Sequence, residues 1–388
     1  MAEYLTNTSE LTAVADAIRE KGGTTAQLSY PAGFVSAISA IETGGGGYTI
    51  DDIAERNMMS GTVYGSTASF IEQAAFYQCF NITSVNFPNV NSIGARAFYS
   101  CSALISASFP NATLVDQYAF AYCSSLITVD LPQATTINGW AYWRDDGLTT
   151  ISAPNVTTIG ESAFASCRAL TAANFPKVTS LSSGEFNGCI ALSIIDFPLL
   201  TTMGREAFTS CYVLKTVSLS NVTTIGPYAF RDCSALETID LPKVTSIGSW
   251  AFSSCSKLTT ISLPKVTLIS SAAFSGCSAL ETVNLPECIT LHASAFIRCI
   301  SLSAVSLSKI NQISAYAFRS CYNLLTVDLT NVSTMPSLGA YVFTSTPIAG
   351  YTTSTGGVYG SILVPRSLYA TFVTDTGWKS FSSRIFSV

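Results

Sequence analysis

Few side chains in this chain could do chemistry, and most of them recur on a fixed spacing. Of its 12 cysteines, eleven (Cys79, Cys101, Cys123, Cys167, Cys189, Cys211, Cys233, Cys255, Cys277, Cys299 and Cys321) are separated by 22 residues or a multiple of 22. Three uses of such a thiol ladder can be weighed. Stacked strands ~4.8 Å apart would bring neighbouring Cα atoms within disulfide range, but parallel Cβ vectors converge poorly. Thiolate metal sites need converging ligands, commonly C-x-x-C pairs, and the sequence contains none. The third use, a small buried hydrophobe in each repeat, is the reading adopted, and it extends to Cys288, the one cysteine off the ladder. His292 is the only histidine, so a multi-histidine metal site is excluded, and a surface position is expected for it. No G-x-S-x-G elbow occurs to host a serine nucleophile. Catalytic machinery, a metal site and a cofactor site are therefore not expected.

The one vacant slot in the ladder, at 145, holds an acid within Trp140-Ala141-Tyr142-Trp143-Arg144-Asp145-Asp146-Gly147. Aromatic and acidic groups together suit sugar stacking and hydrogen bonding. Trp140, Tyr142, Trp143, Asp145 and Asp146 are accordingly candidate binding residues; the competing reading is a local turn at Asp146-Gly147. Asn81, Asn111, Asn155, Asn221 and Asn331 open N-x-[ST] triplets. These follow from the repeat's own pattern and are read as accidental rather than as glycan acceptors.

Positioning these groups requires the full repeat. It reads I-G-x-x-A-F-x-x-C-x-x-L-x-x-V-x-L-P-x-V-T-x, as in 225–246, and twelve copies run from about Ile71 to Thr334. Val129 and Leu131, two apart, point to one face of a short strand, and Pro132 ends it. A-F-x-x-C puts Phe120 and Cys123 on one side of a helical or turn-like segment. No single unit can bury these groups, so stacking is obligatory and a repeat solenoid follows: parallel strands on one face, short helical or turn segments opposite.

This unit resembles the BspA-like (Treponema-type) leucine-rich repeat: Phe230, Cys233, Leu236, Ile239, Leu241 and Pro242 match its hallmark position for position. The resemblance covers about two thirds of the chain. It implies a binding or adhesion protein, with a protein or glycan partner and no catalytic residues.

Outward strand positions flank the inward Val. The column after it holds only Ser, Asn and Asp, including Asp130, Asp196 and Asp240; the column before it is mostly Ser or Thr. This small, mildly acidic face could hydrogen-bond a glycan or an extended polypeptide, or could be a merely solvated surface. Just past the Pro slot, which holds Ser308 in one unit, Lys177, Lys243, Lys265 and Lys309 form a partial basic row expected to face solvent.

The ends depart from the period. Residues 1–43 suggest a helical hairpin: Asn7 and Glu10 start a helix with Leu11, Val14, Ala15 and Ile18 on one stripe, and Pro31 opens a second. Its L-T-A-V-A-D-A-I-R-E-K-G-G run looks like N-terminal pieces of tail-associated proteins from phages of gut Firmicutes. Residues 44–70 read as a Gly-rich linker and N-cap, 71–334 as the solenoid, and 335–388 as a C-terminal cap built from Ile362, a helix from Ser367, and Tyr369, Phe372, Trp378, Phe381 and Ile385.

The 388 residues are 48% hydrophobic and 11% charged, with a net charge of −5. Without a polybasic run, nucleic acid is not an expected partner. No window approaches 18 consecutive apolar residues, so membrane insertion is not expected either. The first residues lack a secretory-signal pattern. The resulting expectation is a non-catalytic recognition protein at a bacterial surface, extracellular, or on a phage particle; the alternative is a spacer joining the N-terminal segment to a larger assembly.

Overall fold

A computed structural model describes residues 60–65, 68–350 and 359–388. The expected hairpin and Gly-rich run lie outside the described residues. The described chain forms two compact units, one comprising residues up to Val178 with Glu185–Phe197, the other Thr179–Gly184 with Pro198–Val388.

In the first unit, Ser60–Tyr64, Asn81–Asn86, Ser106–Ser108, Thr128–Asp130 and Thr150–Ser152 form a five-stranded parallel sheet. Its register equals the sequence period, Ser106 opposite Thr128 and Ala107 opposite Val129. Ala172–Asn174 pairs with Ile194–Asp196 in the same way. In the second unit an eight-stranded parallel sheet runs from Thr216–Ser218 to Ile385–Ser387.

A second, narrower parallel ladder stands behind each of these sheets. Pairs such as Ser92–Ile93 and Leu114–Val115 build it in the first unit, and Thr224–Ile225 and Ser246–Ile247 in the second. The repeat pattern did not announce it, because two residues are too short to show an alternation. The Thr of P-x-V-T fixes this edge: Thr245 Oγ1 donates to the Thr223 carbonyl one coil back at 3.3 Å.

A-F-x-x-C is a turn rather than a helix. Two residues of each coil, four apart, have left-handed backbones, as at Tyr228 (φ 59°) and Asp232 (φ 61°). The alternation sends every second N–H along the stack: Tyr228, Phe230 and Asp232 donate to the Ser249, Ala251 and Ser253 carbonyls of the next coil at 2.8–3.0 Å. The residues between them, Ala229, Arg231 and Cys233, donate three positions back within the coil. Left-handed backbone costs an L-residue roughly 1–2 kcal/mol. The coil-to-coil bonds offset this by satisfying donors that would otherwise be buried and unpaired.

The core between the ladders is a column of aromatic rings. Phe76, Phe98, Phe120, Tyr142, Phe164 and Phe186 stack with centroids 4.9–5.3 Å apart in the first unit. From Phe208 to Phe343 the second unit continues the pattern at 5.1–5.9 Å. Beside the rings nine of the ladder thiols donate to a carbonyl 25 residues upstream, as Cys233 Sγ does to Phe208 O at 3.1 Å.

The ladders outrun the sequence period at both ends. Ser60–Tyr64 already pairs with Asn81–Asn86. Beyond Thr334, Ser337–Leu338 pairs with Gln312–Ile313 after a gap of 25 residues, and Ser361–Val364 extends the wide sheet. A six-residue helix, Tyr369–Thr374, then closes the end with Phe372 and Trp378 buried. Trp378 Nε1 donates to Pro336 O at 2.9 Å, whereas Tyr369, expected inside, is 38% exposed.

The left-handed slots give a direct test. Ser254 (φ 63°) occupies the slot that Gly276 (φ 74°) fills one coil later. Ser254→Gly is expected to leave stability within about 1 kcal/mol of the parent, and Ser254→Val to lower it by about 1–2 kcal/mol, because a β-branched residue resists positive φ. Urea unfolding of the two variants checks this; equal midpoints would contradict it.

Candidate functional site

The wide sheet exposes the columns anticipated from the sequence. In Thr128–Asp130 and Thr238–Asp240 the middle residue is buried and both flanks are exposed. Asp130 and Asp196 lie on the first unit's strand face and Asp240 on the second's, all exposed. Around Asp130 three strands line a shallow depression of about 390 Å³ with Ser106, Ser108, Thr128, Thr150 and Ser152 on its rim. A similar depression of about 320 Å³ in the second unit includes Asn284, Ser306 and Asp328. Asp328 is held in place there by the Thr330 N–H and hydroxyl at 2.9 and 2.7 Å.

The fourth repeat divides its candidates between surface and core. Trp140 and Trp143 are half-buried at the surface, and Asp146 is exposed, with Arg168 Nε 3.6 Å from its Oδ1. Tyr142 and Asp145 are fully buried, which removes them from any contact with a ligand. Their slots explain this correction. Tyr142 takes the ring position and is stacked between Phe120 at 5.2 Å and Phe164 at 5.3 Å. Asp145 takes the cysteine position, where Cys123 N donates to its Oδ1 at 2.7 Å.

Burial drives the Asp145 carboxyl well above the usual carboxylate range, and the charge of Asp146 adds to the rise; the bond from Cys123 N opposes it. Burial also raises the Tyr142 phenol, with Asp145 contributing. Tyr142 Oη and Asp145 Oδ2 are buried without a hydrogen-bond partner. All twelve cysteines are buried thiols. Desolvation pushes Cys189 and Cys233 up to about 12, leaving almost no thiolate at neutral pH. Among the described residues no group of three ligating side chains could hold a metal ion, and no helix is long and apolar enough to cross a membrane. His292 is half-buried at the surface.

The post-proline lysines do not simply face solvent. Lys177 Nζ donates to Asn155 Oδ1 at 2.6 Å, Lys243 to Asn221 at 2.7 Å, and Lys309 lies 2.8 Å from Glu287 Oε2. The same asparagines donate Nδ2 to the Pro132 and Pro198 carbonyls of the previous coil. Their side-chain amides clamp neighbouring coils, which accounts for their recurrence without glycosylation.

Reading residues one repeat at a time missed the partners of the tryptophans. Tyr118, one coil before Trp140, stacks on it at 5.3 Å with planes 7° apart, and the Arg96 guanidinium lies 5.5 Å over the Tyr118 ring. Trp143 instead meets Tyr118 and Tyr122 edge-on, with Arg144 5.4 Å over its face. In the second unit Tyr228 and Trp250 repeat the stack at 6.5 Å and 5°, with Arg205 4.8 Å over Tyr228. The signal was present as aromatics in the same slot of consecutive 22-residue repeats.

The family model described as BspA type leucine rich repeat region (6 copies) matches residues 58–171, 157–281 and 223–349. The chain belongs to this family. Its repeats and fold are of a kind typically without enzymatic activity. Among solved structures, the BspA-type chain is similar to a leucine-rich repeat protein from Bacteroides ovatus ATCC 8483, at 23% identity and a TM-score of 0.59, covering 82% of this chain and 87% of that one. A leucine rich cell surface protein from Faecalibacterium prausnitzii A2-165 matches at 25% identity and a TM-score of 0.42, covering 82% and 91%. The Treponema pallidum leucine rich repeat protein matches at 22% and 0.34, covering 51% and 83%. No curated protein matches the chain. The resemblance of the N-terminal run to phage tail-associated proteins finds no support in these comparisons.

Asp145→Cys restores the thiol ladder and removes an orphaned carboxyl oxygen. It is expected to stabilise the protein by about 1–3 kcal/mol at neutral pH. Because the folded-state pKa of Asp145 is raised, the native state holds its proton more tightly than the unfolded chain, whose aspartates titrate near about 3.9. That contribution is fully present below the unfolded value and is lost as pH rises through the folded one. The gap between D145C and the parent should therefore widen as pH increases from about 4. Denaturant unfolding at pH 4, 6 and 8 checks this; a pH-independent gap would refute the assignment.

Proposed function

We propose that this BspA-type chain is a non-catalytic recognition or adhesion protein that presents its repeat surface to a protein or glycan, on a bacterial surface or a phage particle. The observation that carries the reading is the division of labour along each strand. Alternate side chains lock the core, leaving two exposed columns of short hydrogen-bonding groups, with Asp130, Asp196 and Asp240 among them. Such columns suit an extended ligand that crosses several strands. Family membership supports a binding role. The non-catalytic part is supported by where most perturbed groups lie: Asp145, Tyr142 and the shifted thiols are in the core, out of reach of a substrate, and among the described residues only Tyr99, raised by partial burial and by the neighbouring tyrosines, is at the surface.

The test is direct binding of the purified full chain to bacterial and host cells and to a glycan array, with the heat-unfolded chain as control. Saturable binding is expected of the folded chain alone. Failure to bind any cell or glycan would remove the recognition reading and favour the spacer, in which the repeats only separate the two ends.

A further inference from the structure

Two ring stacks on the turn side share one construction, and neither is explained by the fold. Each begins with a guanidinium, continues through a tyrosine to a tryptophan one coil later, and then stops. Arg96, Tyr118 and Trp140 make the first, Arg205, Tyr228 and Trp250 the second. Tyrosine is covered from the upstream coil by arginine and from the downstream coil by tryptophan. The coil after the tryptophan places Ser162 in the same slot in the first unit and Ala272 in the second. That coil is adjacent, since Trp140 N donates to Glu161 O at 2.9 Å and Trp250 N to Ser271 O at 3.0 Å. A small residue there cannot reach across an indole, so the downstream face of each tryptophan is left without a ring or cation among the described residues. Trp250 is 40% exposed, high for so large an apolar side chain.

The ground beside these faces is made of small and mostly uncharged residues. Ser271, Ser275 and Gly276 flank the second step, and Ser162, Ala165 and Ser166 the first, with Glu161 its one charge. Nearby charges are already engaged: Arg205 is paired with Glu206 at 2.7 Å, and Arg168 with Asp146 at 3.6 Å. An apolar aromatic face above a floor bearing hydroxyls, with little uncompensated charge, complements a molecule that is itself uncharged, with one face of C–H groups and a rim of hydroxyls. Trp143 offers no such face, because Arg144 covers it.

We propose that the downstream faces of Trp140 and Trp250, which no ring or cation of the described residues covers, are each a binding step for a neutral hexose polymer, one in each unit. This rests on the recognition reading and adds to the strand face a second surface, on the turn side, with a ligand class of its own.

The test uses the full chain with cellohexaose, maltohexaose and mannohexaose, followed by tryptophan fluorescence and calorimetry. At least one of these probes should bind. Trp140→Ala and Trp250→Ala should each weaken binding, and the double variant should weaken it at least tenfold. Tyr212→Ala, an exposed ring outside both stacks, should bind as the parent does; the triple variant Asp130→Ala/Asp196→Ala/Asp240→Ala reports on the strand face in parallel. Ser162→Tyr with Ala272→Tyr keeps both tryptophans and extends each stack by one ring, in a slot that already accepts tyrosine at 118 and 228. It should abolish binding with the fold intact by circular dichroism. Loss in the aspartate variant with retention in the tryptophan double variant would overturn the proposal and place the ligand on the strands. No binding of the three sugars by a chain that still binds cells would overturn it while leaving the recognition reading intact. Failure to bind sugars and cells alike would overturn both.

Discussion

Each coil of this protein exists only because the next coil accepts its hydrogen bonds. In the turn segment three alternate N–H groups, at Tyr228, Phe230 and Asp232, point along the stack, and the residues between them are satisfied locally. A helix could not do this, because all of its donors run along its own axis. The price is two left-handed residues per coil, carried here mostly by serine, tyrosine, arginine and alanine rather than by glycine. Such a backbone is tolerable only when the neighbouring coil repeats it in register, as it does every 22 residues through the repeats and again at Tyr341 and Ser345 after the 25-residue last coil.

That register explains the side chains as well. Identical slots meet identical slots, so any residue type that interacts well with itself at about 5 Å builds a column. Phenylalanine rings stack, threonine hydroxyls reach the preceding carbonyl, and asparagine amides two residues earlier in the same segment do the same. The thiol is suited to its slot because it is small and donates to a carbonyl without a large desolvation penalty. Asp145 shows what happens when the residue type is wrong for the slot. It is taken into the core by the register, accepts one backbone bond, and leaves its second oxygen unpaired.

The same constraint shapes the surface available for binding. On the wide sheet the exposed columns are short and hydroxyl-rich, since larger side chains on every strand would crowd at the strand spacing. On the turn side the left-handed slots project outward and carry a wider range of residues. Residue type varies from repeat to repeat at these slots, and rings such as Tyr118 and Trp140 find each other across coils. A repeat protein thus conserves its core by repetition and acquires individuality at slots the core does not use.

The 22-residue period, the inward Val and Leu, the ring and thiol columns and the exposed aspartates were all legible in the residues alone. Each depends only on period and on the alternation of a strand, which any stacked solution must obey. The fate of the fourth repeat was decided by tertiary structure. Residue type suggested that Tyr142 and Asp145 belonged with Trp140 and Trp143, whereas burial is set by slot, and slot is enforced by coil-to-coil bonding. The second ladder was hidden because two residues per coil carry no pattern. The extension of the wide sheets, to Ser60 in the first unit and to Ile385 in the second, was hidden because backbone pairing persists where the side-chain period has ended. The aromatic stacks needed the coil spacing itself, since residues 22 apart become neighbours only when the stack is built.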